Sequence, residues 1–285
     1  MNAYRLVLLF VLFTSQFCKA QSYVKISTPD QMSRTVNPVD TLDFAVIRCE
    51  YTQLIVTDTL RPTRWVKNRM LLQIGNNISK FFNYDRFVSD SISREQTLSG
   101  VSFEEIMNSD HNRKRGSVGY EIYKRYPSNK KITYVDDIFA ISYLYEENII
   151  SPKWELLPDT MTILGYLCKK ASCTFYCREY VAWYAPEIAV SEGPWKFTGL
   201  PGLILQVRDK NRQVRFEAVA IEKVKWRDPI GFEIQGRQQR TTKEKFHKAY
   251  INYMKNPSSV IQQYVQFDEP VALNSKPYNL IELCE

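Results

Sequence analysis

A mainly β (α+β) fold, built as one large curved antiparallel meander sheet with a few peripheral and C-terminal helices, is predicted by three features of the sequence. Apolar and polar residues alternate over many stretches, as where Leu203, Leu205 and Val207 interleave with Ile204, Gln206 and Arg208; this is the period of a half-buried strand. Short turn-forming segments such as Gly75-Asn76-Asn77 and Asp209-Lys210-Asn211-Arg212 separate these stretches. Helical spacing is confined to a short segment after Ser102, a longer one after Thr242 and a second short one over Ser258 to Gln266. Roughly eight or more strands in sequence must curl or close to protect their edges.

The elements follow in order. Arg5, the apolar run Leu6 to Phe13 and Cys18-Lys19-Ala20 have the layout of a signal peptide spanning residues 1–20, with cleavage before Gln21. Residues 21–41 form a polar arm containing Pro29 and Pro38. Residues 42–228 are the sheet domain, and residues 229–285 a helical segment and tail packed on it. Phe44, Val46, Cys49, Tyr51, Leu54 and Val56 give one or two strands. Trp65 to Gly75 gives another, and Phe81, Phe82, Tyr84 and Phe87 a strand or tucked loop. Ser102, with Glu105 three residues on, is a capping box for a short helix carrying Phe103, Ile106 and Met107. Strands are expected around Tyr120, from Lys131 to Asp136 and from Phe139 to Glu146, and Thr162–Lys170 pairs with Thr174–Tyr184 as a hairpin. Thr241 or Thr242 caps a helix through Phe246, Ala249, Tyr250 and Tyr253, ended by Pro257.

Loss of the leader removes Arg5 and Lys19, so the net charge of +7 falls to +5. That mild, scattered basicity excludes nucleic acid as an expected partner, because no basic platform interleaved with aromatics is present. No stretch of the mature chain is apolar enough to span a membrane, and the expected location is the periplasm, the cell envelope or the exterior. Five cysteines remain: Cys49, Cys168, Cys173, Cys177 and Cys284. In an oxidising compartment they should pair, and five leaves at least one thiol over. A hairpin turn between Lys170 and Ala171 would set Cys168 opposite Cys173, and one between Ser172 and Cys173 would set it opposite Cys177. Cys168, Cys173 and Cys177 are therefore the disulfide candidates. Their spacing lacks a second CxxC, and His111 and His247 are the only histidines, so no metal and no cofactor are expected.

The centre of the chain is Gly199-Leu200-Pro201-Gly202-Leu203-Ile204. Pro201 and Gly202 suit the middle of a type II turn at Leu200–Leu203, and Leu203 begins a strand. With no nucleophile or carboxylate before Asp209, the stretch reads as a packing element. It matches letter for letter the signature of the GLPGLI family of secreted or envelope proteins of Gram-negative bacteria. Gly165 to Ala171, Ala182-Trp183-Tyr184, Gly193-Pro194 and Phe197 also resemble that family, and the likeness runs from about Phe44 to Val224. The tail Asn279 to Leu283 resembles the family's usual ending, whereas Cys177 stands where the family has Gly. The resemblance implies an envelope protein and no particular activity. The hairpin from Gly199 through Ile204, Asp209, Val214 and Phe216 also resembles the LolA-like lipoprotein carriers, which implies a curved half-barrel.

Three functions are compatible with these residues. The expected one is a non-catalytic envelope protein binding a lipid, a peptide or an outer-membrane partner protein on its curved sheet, supported by 18 Tyr, 15 Phe and 5 Trp and by the lack of a nucleophile–base set. The alternatives are a structural subunit docking through a sheet edge on an outer-membrane machine, and a glycan or peptide hydrolase using Asp136 and Asp137, or Glu187 and Glu192, across a cleft. Adjacent Asp136 and Asp137 in a strand should face opposite sides. Glu104, Glu105, Asp110 and His111 read as a helix surface and an exposed loop, with no catalytic role.

Overall fold

The computed structural model describes residues 38–113, 118–139, 141–233, 238–262 and 273–284, so the expected leader and most of the N-terminal arm lie outside the described residues. The strands are β1 (Val39–Val56), β2 (Trp65–Gly75), β3 (Ser79–Asn83), β4 (Glu121–Lys124), β5 (Lys131–Ile138), β6 (Ile141–Asn148), β7 (Glu155–Ile163), β8 (Tyr166–Phe175), β9 (Arg178–Ala185), β10 (Leu203–Asp209), β11 (Val214–Lys223), β12 (Pro229–Glu233) and β13 (Gln239–Arg240). The helices are α1 (Tyr84–Leu98), α2 (Phe103–Asn108), α3 (Asp110–Arg113), α4 (Lys243–Lys255) and α5 (Pro257–Ile261). The strands form one open sheet in the order β13-β6-β5-β4-β3-β2-β1-β11-β10-β9-β8-β7, with β12 paired to the start of β1. All pairings are antiparallel except β13 with β6. The expected mainly β meander with few helices is thus the observed fold, and the sheet does not close into a barrel.

The topology consists of two meanders joined side by side. β1 to β6 run outward in one direction and β11 back to β7 in the other, meeting where Cys49 lies opposite Ile221 and Gln53 opposite Phe216. The period of two divides the side chains between two faces. The inner face carries the core, including Cys49, Tyr51, Leu72, Phe81, Ile122, Ala182, Val207 and Phe216. The segment between β9 and β10 folds across this face and buries Trp195, Phe197 and Leu200. Rings interlock there: Phe197 lies 5.3 Å from Trp195 and 4.8 Å from Tyr180, centroid to centroid. The outer face carries Glu50, Arg69, Gln73, Lys80 and Glu121. One solvated face is common in antiparallel sheets and explains the polar half of each alternating stretch.

Of Gly199 to Ile204, Leu200, Gly202, Leu203 and Ile204 are buried in the core, whereas Gly199 and Pro201 are exposed. Leu203 and Ile204 open β10 and are fully buried. The turn closes with the Gly202 amide donating to the Leu200 carbonyl at 2.9 Å, tighter than the four-residue turn expected. Gly202 has φ of 152°, and a Cβ there would lie 2.3 Å from the Ala185 carbonyl oxygen, so only glycine lets β9 and β10 approach here.

The cysteines differ from expectation. The β8–β9 turn lies at Tyr176-Cys177, with Thr174 opposite Glu179 and Cys173 opposite Tyr180. Cys168 and Cys173 therefore share one strand and cannot be cross-strand partners, and Cys168 faces Met161 of β7. Cys177 instead bonds Cys284 in the C-terminal tail, while Cys168, Cys173 and Cys49 are buried free thiols. Burial pushes Cys173 and Cys49 up to about 12 and Cys168 up to about 11, which keeps all three protonated and unreactive. The tail, expected to be strand-like, forms no strand. Among the described residues, no helix is long and apolar enough to cross a membrane.

Candidate functional site

The outer face is covered at one end by α1, which starts directly from β3. Asn83 caps it, accepting the Arg86 amide at 3.0 Å, and donates through its own amide to the Val118 carbonyl at 3.0 Å. Asp85 sits in the first turn, where the helix dipole favours a carboxylate. Phe87 packs edge-on against Phe82 of β3 at 5.3 Å. Opposite α1, β12 curls over the same face, with Phe232 against Tyr123 at 5.1 Å. Between them lies a groove of about 720 Å³ whose floor is the outer side of β1 to β5.

Acids and bases alternate along the floor. Lys80 meets Glu121 at 3.0 Å and the Gly231 carbonyl at 3.2 Å, and lies 4.7 Å from the Phe82 ring. Glu121 also accepts from the Tyr123 hydroxyl. Gln73 donates to Asp228 at 2.9 Å, with Arg48 3.7 Å from the same carboxylate. Arg86 of α1 is bonded to Asp137 and lies 3.6 Å from Asp90. Glu121 lies opposite Val135, so Asp137 is its diagonal neighbour on the same face, at a Cα spacing of roughly 7–8 Å in sheet geometry. Phe87, 46% exposed, gives the α1 wall an apolar surface. Such a groove offers paired carboxylates and fixed cations for hydrogen-bonding neighbouring hydroxyls, beside an aromatic face.

Asp136 and Asp137 face opposite sides, as strand geometry requires, but one guanidinium serves both. Arg86 passes Gly119, where a Cβ would lie 2.0 Å from its Nη1 and 3.0 Å from Asp136 Oδ1. Desolvation, reinforced by the Asp137 charge, pushes Asp136 up to about 7, against the opposing pull of Arg86. On the inner side the Tyr134 hydroxyl donates to Asp136 at 3.3 Å. The other acid pair considered, Glu187 and Glu192, is not brought together as a facing pair: Glu187 is exposed, and Glu192 is buried in an ion pair with Lys124 at 3.0 Å and with Arg125.

Glu121 and Lys80 were missed in the sequence because each is an ordinary charged residue in an alternating strand. Only the register that puts Lys80 opposite Tyr123 and Phe82 opposite Glu121 unites them. The signal for α1 was present in Asn83, Asp85 and the spacing of Tyr84, Phe87 and Val88, but β-branched and serine residues obscured it. Of the sequence-selected residues, Gly199 to Ile204 and Cys168, Cys173 and Cys177 all lie away from this groove.

A family model described as "N-glycanase peptide, N-terminal domain" matches residues 92–243. This match overturns the GLPGLI assignment: the hexapeptide is present, but the family supported over half of the chain is a different one. No curated protein matches. Two solved structures of PNGF-II, in the P21 and C2 space groups, are similar at a TM-score of 0.46 and 14% identity, each covering 72% of this chain. The shares of their own chains are 33% and 32%, so this chain spans about one third of their length.

Proposed function

The chain belongs to the family described as N-glycanase peptide, N-terminal domain, and from that premise we propose that it serves glycan hydrolysis, holding the carbohydrate of a glycoprotein in the groove between α1 and the outer sheet face. This replaces the expected non-catalytic binder of lipid, peptide or partner protein, which the family match overturns. The hydrolase alternative is the one this match favours. Export by the leader read at residues 1–20 would place the protein where glycoproteins of the exterior are met.

The family match carries the reading, and the chemistry of the groove supports it. Two carboxylates on one face, Glu121 and Asp137, are each held by a cation, Lys80 and Arg86. Such fixed acceptors suit vicinal sugar hydroxyls, and a volume of about 720 Å³ accommodates a short oligosaccharide. Paired carboxylates flanking a bond are also what glycan hydrolysis uses, one as acid and one to activate water or attack.

Titration calorimetry of the full chain with a released N-glycan tests this. Binding is expected, and Glu121→Gln should weaken it roughly 10–100-fold, the equivalent of one charge-assisted hydrogen bond of about 1.5–3 kcal/mol. Release of glycan from a glycoprotein, read by mass spectrometry, should fall in the same variant. An unchanged affinity in Glu121→Gln, or no binding by the parent, overturns the assignment of the groove.

A further inference from the structure

The outer face holds a second concavity, of about 630 Å³, across β7 to β10, and its charges do not balance. Lys210 is paired with Glu179 at 2.7 Å, and Asp209 is committed to the buried Arg178 at 3.2 Å. That leaves Lys153, Arg208 and Arg212 facing Glu155. Arg208 projects from the outer face between Val181 and Arg215 of the neighbouring strands, and Ser172 and Thr174 of β8 add hydroxyls to the same wall.

Arg208 is held within β10, and Arg212 is presented on the turn that follows it. Asp209 Oδ1 accepts the Gln213 and Val214 amides at 2.7 Å each, its carbonyl accepts the Arg212 amide at 3.1 Å, and Arg212 is fixed at φ of 55°. A partly unneutralised basic basin attracts anions, and the pre-ordered turn carrying Arg212 reduces what binding costs in entropy. The basin shares the outer face with the α1 groove. Arg208 aligns through Arg215 with Leu54 of β1, six residues along that strand from Arg48 of the α1 groove, and β10 lies two strands from β1. The two sites are therefore roughly 22 Å apart, a separation that an extended antenna of one branched oligosaccharide can bridge.

We infer that the β7–β10 basin is a second sugar subsite, which takes the anionic group, carboxylate or sulfate, of an acidic residue on the glycan held in the α1 groove. The inference rests on the glycan reading of that groove, and the test separates the two. An N-glycan capped with N-acetylneuraminic acid, its desialylated counterpart and a sulfated counterpart are titrated into the full chain at low and physiological salt, with inorganic sulfate as a fourth arm. Both acidic glycans should bind at least about 5-fold tighter than the neutral one, with the advantage shrinking as salt screens the charges. Amide shifts at Thr174, Val181 and Arg212 should appear only with the acidic ligands. The double variant Lys153→Gln, Arg208→Gln should erase the advantage and leave neutral-glycan affinity unchanged. A response to only one of the two acidic glycans would keep the subsite and identify the anion it takes.

Equal affinity for neutral and acidic glycans, a double variant without effect, or inorganic sulfate binding as tightly as the acidic glycans would overturn the inference. The first of these leaves the groove reading standing. If the neutral glycan does not bind at all, the groove reading falls and this inference falls with it.

Discussion

Glu192→Ala is expected to destabilise the protein by about 3–5 kcal/mol, the usual consequence of removing one partner from a buried ion pair. Glu192 and Lys124 are 3% and 2% exposed in their side chains and meet at 3.0 Å, and Lys124 also donates to the Gly193 carbonyl at 2.7 Å and the Phe197 carbonyl at 3.0 Å. These bonds fasten the segment between β9 and β10, with its buried Trp195 and Phe197, onto β4. Burial alone would raise the Glu192 carboxyl, but Lys124 and Arg125 outweigh it and hold the group below its usual range. Burial pushes the Lys124 ammonium down, with the Glu192 charge offsetting part of that. A carboxyl lowered in the folded state contributes stability that is present above its unfolded value, about 4.3, and is lost as pH falls through the lowered folded value. Urea unfolding of the parent should therefore show a midpoint that falls on acidification below about pH 4.3, and the alanine variant a smaller acid dependence in that window. A variant within about 1 kcal/mol of the parent would mean that the pair is no anchor for this segment.

Cys284→Ser should cost about 4–5 kcal/mol, because its bond to Cys177 closes a loop with a sequence separation of 107 and restrains the unfolded chain accordingly. The bond also fixes the tail over the β8–β9 turn. Arg178 donates to the Leu280 carbonyl at 2.7 Å and the Ile281 carbonyl at 3.0 Å, Asn279 donates to the Val56 carbonyl at 2.8 Å, and Glu282 is bonded to the buried Lys196. Thermal melting of the oxidised parent against Cys284→Ser measures the loss. A change of only a degree or two would show that these polar contacts hold the tail unaided and that the covalent link adds little.

The strand pattern was open to reading because each strand of an antiparallel sheet with one solvated face writes its own alternation. Leu203 to Arg208 needs no knowledge of its neighbours to be recognised. The helix after Thr242 was legible for a similar reason, since Thr242 and Phe246 carry local signals, as do Ser102 and Glu105 for α2. What joins distant residues was not legible. Glu192 and Lys124 are 68 positions apart, and neither has a local reason to be buried. The expected pairing of Cys168 failed because the hairpin turn lies several residues later than local turn propensity suggested, at a Tyr176-Cys177 pair held at positive φ, a conformation rarely adopted by such side chains. The groove was invisible for the same reason, being assembled from β1 to β5, α1 and β12.

The most direct measurement is a hydrogen–deuterium exchange footprint of a released N-glycan on the full chain. A glycan seated between α1 and the outer sheet face should slow exchange in residues 80–98, 119–123 and 228–233, and this protection should disappear in Glu121→Gln while the rest of the exchange map stays as in the parent. Protection confined to other segments, or a footprint that survives unaltered in Glu121→Gln, would contradict the account.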